Sequence, residues 1–267
     1  MQAKEILMFS LNDGGLLKYL CEKYMNITVV DDLLSYPIWL MLTAIIGVCL
    51  VGYLLGSINS AVLISTTLYK DDIRKHGSGN AGLTNVLRTY GKKAALLTLV
   101  GDMLKAVLSI GLAGLFFGFQ YFGGISLSQI CYVAGLCAVL GHIFPVYYGF
   151  RGGKGVLTTA TMALVLAPIP FAILFVLFVI IVLASRYVSL GSVCVAVLYP
   201  VLVNGYLSFL ALPHPGLISL TTVFIAIMVV WCHRENLKRI SDRTERKLSF
   251  KKKDVEVKTR PEEDDDE

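Results

Sequence analysis

The chain reads as an all-α polytopic membrane protein of seven transmembrane helices, some short or re-entrant. Three observations lead there. Of its 267 residues, 55% are hydrophobic and 16% charged, whereas soluble domains carry about a quarter charged residues. Apolar runs of membrane-spanning length follow one another from residue 38 to 232. The charges collect in the short gaps between those runs.

The runs fall at about 38–69, 94–119, 125–148, 155–184, 188–211 and 216–232. The first holds 32 residues without a charge, more than one perpendicular crossing needs, so its more polar end, GSINSAVLIST, is expected to emerge from the bilayer. The fourth contains Ala167-Pro168-Ile169-Pro170. Two prolines there break a helix, and the run reads as two short helices meeting at that turn. This brings every basic gap (70–93, 151–154, Arg186 and 234–253) to one face, as the positive-inside rule requires. The N-terminus is then outside and the C-terminus cytoplasmic. Six spans with Arg186 on the outer face is the alternative.

Charge is unevenly distributed. Residues 1–37 hold three lysines and five acids, residues 70–93 six basic and two acidic, and residues 234–253 nine basic and three acidic. Residues 1–37 lack the basic-then-apolar pattern of a secretory signal and read as an N-terminal extension. Residues 38–248 form the membrane domain, and 249–267 a charged, disordered tail. The six cysteines show no CxxC spacing, so neither a disulfide framework nor a metal site is expected.

Asp102 and Lys105 lie inside the second run, at a spacing that puts both on one helix face. A charge deep in a bilayer costs about 2.5–3.5 kcal/mol, so the pair is expected to face a polar interior. Gly77-Ser78-Gly79-Asn80-Ala81-Gly82 matches G-x-G-x-x-G. A dinucleotide fold needs a preceding strand and a βαβ unit, and LISTTLYKDDIRKH after an apolar helix supplies neither. The glycines are instead expected to expose backbone amides as an anion nest, with Asn80, Thr84, Asn85 and Arg88 beside it. Gly152-Gly153-Lys154-Gly155 fails as a nucleotide P-loop, because Tyr148 and Gly155 occupy the positions that need Gly and Ser/Thr. Gly153 and Gly155 still flank a lysine at the start of a helix, where phosphate binds. His142 is expected to be structural. His233 and Asn236 share a face where the last helix leaves the membrane.

Six ordered motifs, GSINSA (56–61), DIRKHGSGNAGLTNVLR (72–88), GDMLKA (101–106), GHIFPVYYGFRGGKGV (141–156), RYVSLGSV (186–193) and HRENLKRI with TERKL (233–248), resemble those of the bacterial acyl-phosphate:glycerol-3-phosphate acyltransferases. The resemblance runs from about Gly52 to Leu248. It implies seven helices and a site built from three cytoplasmic motifs. Ser57 and Arg88 would belong to the first. Gly152, Gly153, Lys154 and Gly155 would form the second. His233, Asn236 and Glu245 would belong to the third, with an intramembrane Lys105 near phosphate. Ser57, Arg88, Lys105, His233 and Asn236 are the expected catalytic group. Gly79, Asn80, Thr84, Asn85, Arg186 and the 152–155 turn are the expected substrate-binding group, and Asp102, His142 and Glu245 are supports. Leu83, Asn59 and Arg243 stand where the family usually has a small residue, Pro and Gly.

The implied reaction moves an acyl group from acyl phosphate to the sn-1 hydroxyl of glycerol 3-phosphate, giving lysophosphatidate and phosphate, the first step of phospholipid synthesis. It implies no cofactor, no metal, no nucleic acid, and a monomer in the inner (plasma) membrane with a cytoplasmic site. Acyltransferases with soluble donors use H-x-x-x-x-D, and none of His76, His142, His214 or His233 has an Asp five residues on. A transporter of a phosphorylated solute is the competing reading. It calls for an inverted repeat with paired broken helices, and one proline-broken run is all that the sequence offers.

Overall fold

The structure, a computed structural model, describes residues 38–117, 127–210 and 216–248. The N-terminal extension, the gaps 119–125 and 212–215 and the charged tail therefore lie outside, or almost wholly outside, the described residues. Among those described, all regular structure is helical. Five helical segments are long and apolar enough to cross a membrane, and a sixth results if the pair Gly216–Cys232 and Arg234–Ser241, bent by 51°, counts as one span.

Helix α1 (Ile38–Ser57) ends at a break over Ile58 and Asn59, and α2 (Ser60–Leu68) follows. Asn59 caps α2 by accepting from the Val62 amide at 3.1 Å, and it donates to the Ala81 carbonyl at 3.4 Å. The family's usual Pro could not replace that side-chain cap. After a 3-10 turn (Ile73–Lys75) come α3 (Leu83–Thr89) and α4 (Gly91–Phe117), 27 residues long. Helix α5 (Leu127–Ile143) packs between α1 and α4. Its contact with α1 is a small-residue seam. A Cβ on Gly52 would lie 2.9 Å from the Ala134 carbonyl, and one on Gly56 would overlap the Ala138 backbone. Gly141 faces Gly56 and Ser57 in the same way. Small residues at four-residue spacing let membrane helices approach this closely.

The fourth apolar run divides at Ala167, as its prolines require. Helix α6 (Val156–Leu166) has 11 residues and α7 (Pro168–Ser185) has 18. Only the first piece is short, because Pro168 and Pro170 sit in the first turn of α7, where a missing N–H costs nothing. Helix α8 (Val188–Phe209) pairs with α7 and with α9 (Gly216–Cys232), and α10 (Arg234–Ser241) turns off along the bundle end. The lipid-type face is plain on α7, where Ile169, Ile173, Val176, Ile180 and Leu183 are more than half exposed.

Hydrogen bonds bring the basic gaps to one end of the bundle. Arg74 donates to the Tyr148 carbonyl at 2.8 Å, Lys154 donates to Asn236, and the Leu248 amide donates to the Arg186 carbonyl at 2.7 Å. Arg186 therefore sits with the others.

Candidate active site

A cavity of about 630 Å³ opens at that end. Its mouth is lined by Ser78, Asn80, Thr84, Arg88, Lys154, His233, Asn236, Glu245 and Arg246. From the mouth it continues as an apolar slot between α6, α7 and α8, past Ala160, Ala163, Leu174, Val195, Ala196 and Tyr199. One end is cationic and polar, the other apolar.

A relay of hydrogen bonds builds the mouth. Lys154 donates to Asn236 Oδ1, and Asn236 Nδ2 donates to Glu245 Oε1 at 2.7 Å. The same carboxylate accepts from Ser189 Oγ at 2.8 Å and, on Oε2, from Arg239 Nε at 2.8 Å. Burial pushes the Glu245 carboxyl up, but the three donors Asn236, Arg239 and Ser189 outweigh it and hold the group below its ordinary range. Burial lowers the Lys154 ammonium to about 8, with Glu245 opposing. His233 is buried, and its Nδ1 lies 2.7 Å from the Val229 carbonyl. A carbonyl only accepts, so Nδ1 carries the proton and Nε2 of the neutral ring keeps its lone pair. Arg88 makes no ion pair among the described residues. Burial, and then the charge of Arg246, lower its guanidinium, so the two cations share a place that suits an anion.

Several expected site residues have other work. Ser57 is buried outside the cavity lining, and its hydroxyl donates back to the Tyr53 carbonyl at 2.8 Å. Asn85 uses its whole amide on the backbone of residues 73–80. It accepts from the Ser78 amide at 3.0 Å and donates to the carbonyls of Ile73, His76 and Asn80. Gly79 is a turn residue with φ 71°, and its amide donates to the His76 carbonyl. The Gly152 and Gly153 amides are likewise taken, by the Ile143 and His142 carbonyls at 3.1 and 3.0 Å. These two glycines allow close approach: a Cβ on Gly153 would overlap His142 Nε2. The anion-nest expectation therefore fails for these amides. Gly155, with φ 77°, starts α6 and does line the cavity. Arg186 ends α7 in the left-handed conformation and lies outside the lining.

Lys105 is also outside the lining. Its ammonium lies 2.9 Å from Asp102 Oδ1, 2.7 Å from His142 Nδ1 and 3.2 Å from the Ile58 carbonyl. The ammonium hydrogen-bonds to the Ile58 carbonyl and His142 Nδ1 and pairs by charge with Asp102, so it ties the α1–α2 break to α4 and α5. Asp102 and His142, expected as supports, form part of the cavity wall as well.

Ser78, Arg246, Ser189 and Ser192 line the cavity without having been singled out by sequence. Ser78 carries the readable signal: it stands exposed between two glycines with φ 60° and 71°, and its hydroxyl has no partner among the described residues.

A family model described as glycerol-3-phosphate acyltransferase matches residues 46–243. The chain belongs to the glycerol-3-phosphate acyltransferase family. A curated family member from Syntrophomonas wolfei is 43% identical over 199 residues, 74% of this chain and 94% of the relative. One from Bacillus cytotoxicus is 42% identical over 206 residues, 76% of this chain and 95% of the relative. Both carry the name glycerol-3-phosphate acyltransferase. The solved glycerol 3-phosphate form of PlsY (YgiH), an integral membrane glycerol 3-phosphate acyltransferase, superposes with a TM-score of 0.66 at 32% identity, covering 77% of this chain and 96% of that one. Its lysophosphatidic acid form gives 0.64 at 31% identity over the same shares. The matched family region contains α2 to α10 and most of α1, and so nearly all of the cavity wall.

Proposed function

We propose that this membrane protein transfers the acyl group of acyl phosphate to the sn-1 hydroxyl of glycerol 3-phosphate, releasing lysophosphatidate and inorganic phosphate. The observation that carries this reading is the joining, in one cavity, of a cationic mouth to an apolar slot. Two phosphate-bearing substrates and one acyl chain need such a shape. The relatives' shared name, and the glycerol 3-phosphate and lysophosphatidic acid forms of PlsY, supply the acceptor and the product class.

Acyl phosphate is an activated mixed anhydride, so the protein's task is to position and to compensate charge. In this reading Lys154 and the N-terminal end of α6 hold the donor phosphate where the slot begins. Arg88 and Arg246, with Ser78 and Thr84, hold the phosphate of glycerol 3-phosphate. The acceptor hydroxyl attacks the acyl carbon. A new C–O ester bond forms, and the bond from that carbon to the phosphate oxygen breaks. His233 Nε2 orients the hydroxyl, and the departing phosphate takes its proton. Asn236 and Glu245 keep Lys154 in register, and the Val229 carbonyl holds the His233 ring. We further place the mouth on the cytoplasmic side of the inner membrane, with seven helices, an outer N-terminus, and a monomer as the working unit.

Purified protein incubated with acyl phosphate and labelled glycerol 3-phosphate should form lysophosphatidate, acylated at sn-1, with one phosphate released per product. Product from acyl thioesters but none from acyl phosphate overturns the donor assignment.

A further inference from the structure

We propose that Tyr199 sets the greatest length of acyl chain the protein transfers. The proposal rests on the acyl-transfer reading above and concerns the far end of the slot rather than its mouth. On α8 the slot is lined by Ser189, Ser192, Val195, Ala196 and Tyr199, the three- and four-residue spacing of one helix face. Along most of that path the side chains are small: Ser189, Ser192 and Ala196 on α8 line the cavity together with Ala160 and Ala163 on α6. Small residues leave the width that a hydrocarbon chain needs. Tyr199 ends the series with a large ring that is only 2% exposed.

The same α8 face continues beyond Tyr199 with Val203 and Leu207, but both are buried in the core and neither borders the cavity. Tyr199 belongs to the same buried cluster as Tyr132, Met162 and Val203, so its ring has packed neighbours behind it. Its hydroxyl makes no hydrogen bond among the described residues. A bare hydroxyl in apolar surroundings offers nothing to a methyl terminus that meets it. Phe171, Phe175 and Phe178 flank the slot on α7, and Phe175 is 53% exposed. From Ser189 to Tyr199 the helix rises about 15 Å. That is half of the ~30 Å hydrocarbon core of a bilayer, the reach of one leaflet's acyl chain.

The test is kcat/KM for a series of saturated acyl phosphates of increasing length, with the protein in lipid nanodiscs. Wild type should show a sharp cutoff. Tyr199→Ala should move the cutoff to longer chains, with gains of about fourfold for each methylene newly admitted. Ala196→Leu, which narrows the slot one turn nearer the mouth, should move it to shorter chains. Tyr199→Phe keeps the ring and should keep the wild-type cutoff. A flat wild-type profile overturns the proposal. So does an unchanged cutoff in both Tyr199→Ala and Ala196→Leu, or a shift in Tyr199→Phe as large as in Tyr199→Ala. If Tyr199→Ala does not fold, the leucine and phenylalanine variants decide the question between them. Wild type that yields no product from any acyl phosphate overturns the donor assignment alone, and the same length series is then read with acyl thioesters.

Discussion

Lys154 is the mouth cation whose charge is lost closest to neutrality. Burial lowers it to about 8, whereas the second ionisation of a phosphate monoester lies near ~6. As pH rises through 8 the substrate's charge stays constant while Lys154 loses its proton, so anion binding weakens on the alkaline side. Because kcat/KM reports the free enzyme, it is expected to fall about tenfold per unit above that value. Lys154→Arg keeps a positive charge throughout and should abolish that limb, and a limb that survives in this variant assigns the ionisation elsewhere. Glu245 acts one residue further back. Replacing it with Gln sets an amide against donors from Ser189, Asn236 and Arg239. Steady-state kinetics should show a loss of about ten- to a hundredfold in kcat/KM, and unchanged kinetics would remove the relay from the site. Motif reading singled out Arg88, Lys154, His233, Asn236 and Glu245, all of which line the cavity, because a charged or polar residue beside a membrane span has few structural uses. It grouped Ser57 with them, whereas Ser57 lies outside the lining and bonds back to the carbonyl four residues earlier, here Tyr53, as a serine inside a helix can. It also misassigned the glycine amides, since sequence does not say which N–H groups are already bonded. The slot residues were unreadable for another reason: an alanine facing lipid and one facing a bound chain look alike.

At the scale of elements, two contacts hold the helices that carry the mouth. The first is the glycine seam between α1 and α5. Gly56→Ala puts a methyl group into the Ala138 backbone, and overpacking of this kind costs about 1–3 kcal/mol. Thermal unfolding in detergent should register a lower midpoint, whereas Gly111→Ala on α4, with open space around it, should not. The second is the buried hub of Lys105, Asp102 and His142. Lys105→Met leaves the Asp102 carboxylate without its cation, a change worth about 3–5 kcal/mol of stability. Adding Asp102→Asn to that variant should restore much of the loss. A double variant no more stable than Lys105→Met would show that Lys105 acts through something other than this ion pair. The hub's existence could be anticipated from two charges three residues apart in an apolar run. Its third member could not, because His142 joins it from α5, far away in sequence. The proline break was legible in the same local way, but the unequal lengths of α6 and α7 follow from where the first turn of α7 begins.

For the whole molecule, the decisive feature is that segments distant in sequence meet at one end. The 70–75 gap is tied to the 146–151 turn by Arg74, the 151–155 turn to α10 by Lys154, and residue 248 to the α7–α8 turn by the Arg186 carbonyl. Lysines and arginines gather at that end, and in the orientation proposed above the positive-inside rule turns it toward the cytoplasm. Helix α8 then carries the chain away from that face, and α9 returns it. A cysteine at position 247 should therefore react with a membrane-impermeant thiol reagent from the cytoplasmic side of oriented vesicles. A cysteine at position 210, where Leu210 follows α8 and is 44% exposed, should react from the opposite side. Both tests use a background in which the native cysteines are replaced. Labelling of both positions from the same side would mean that α8 does not cross the bilayer. The slot along its inner face would then no longer point from the headgroup region toward the centre of the membrane, and an acyl chain could not lie in it with its phosphate at Lys154.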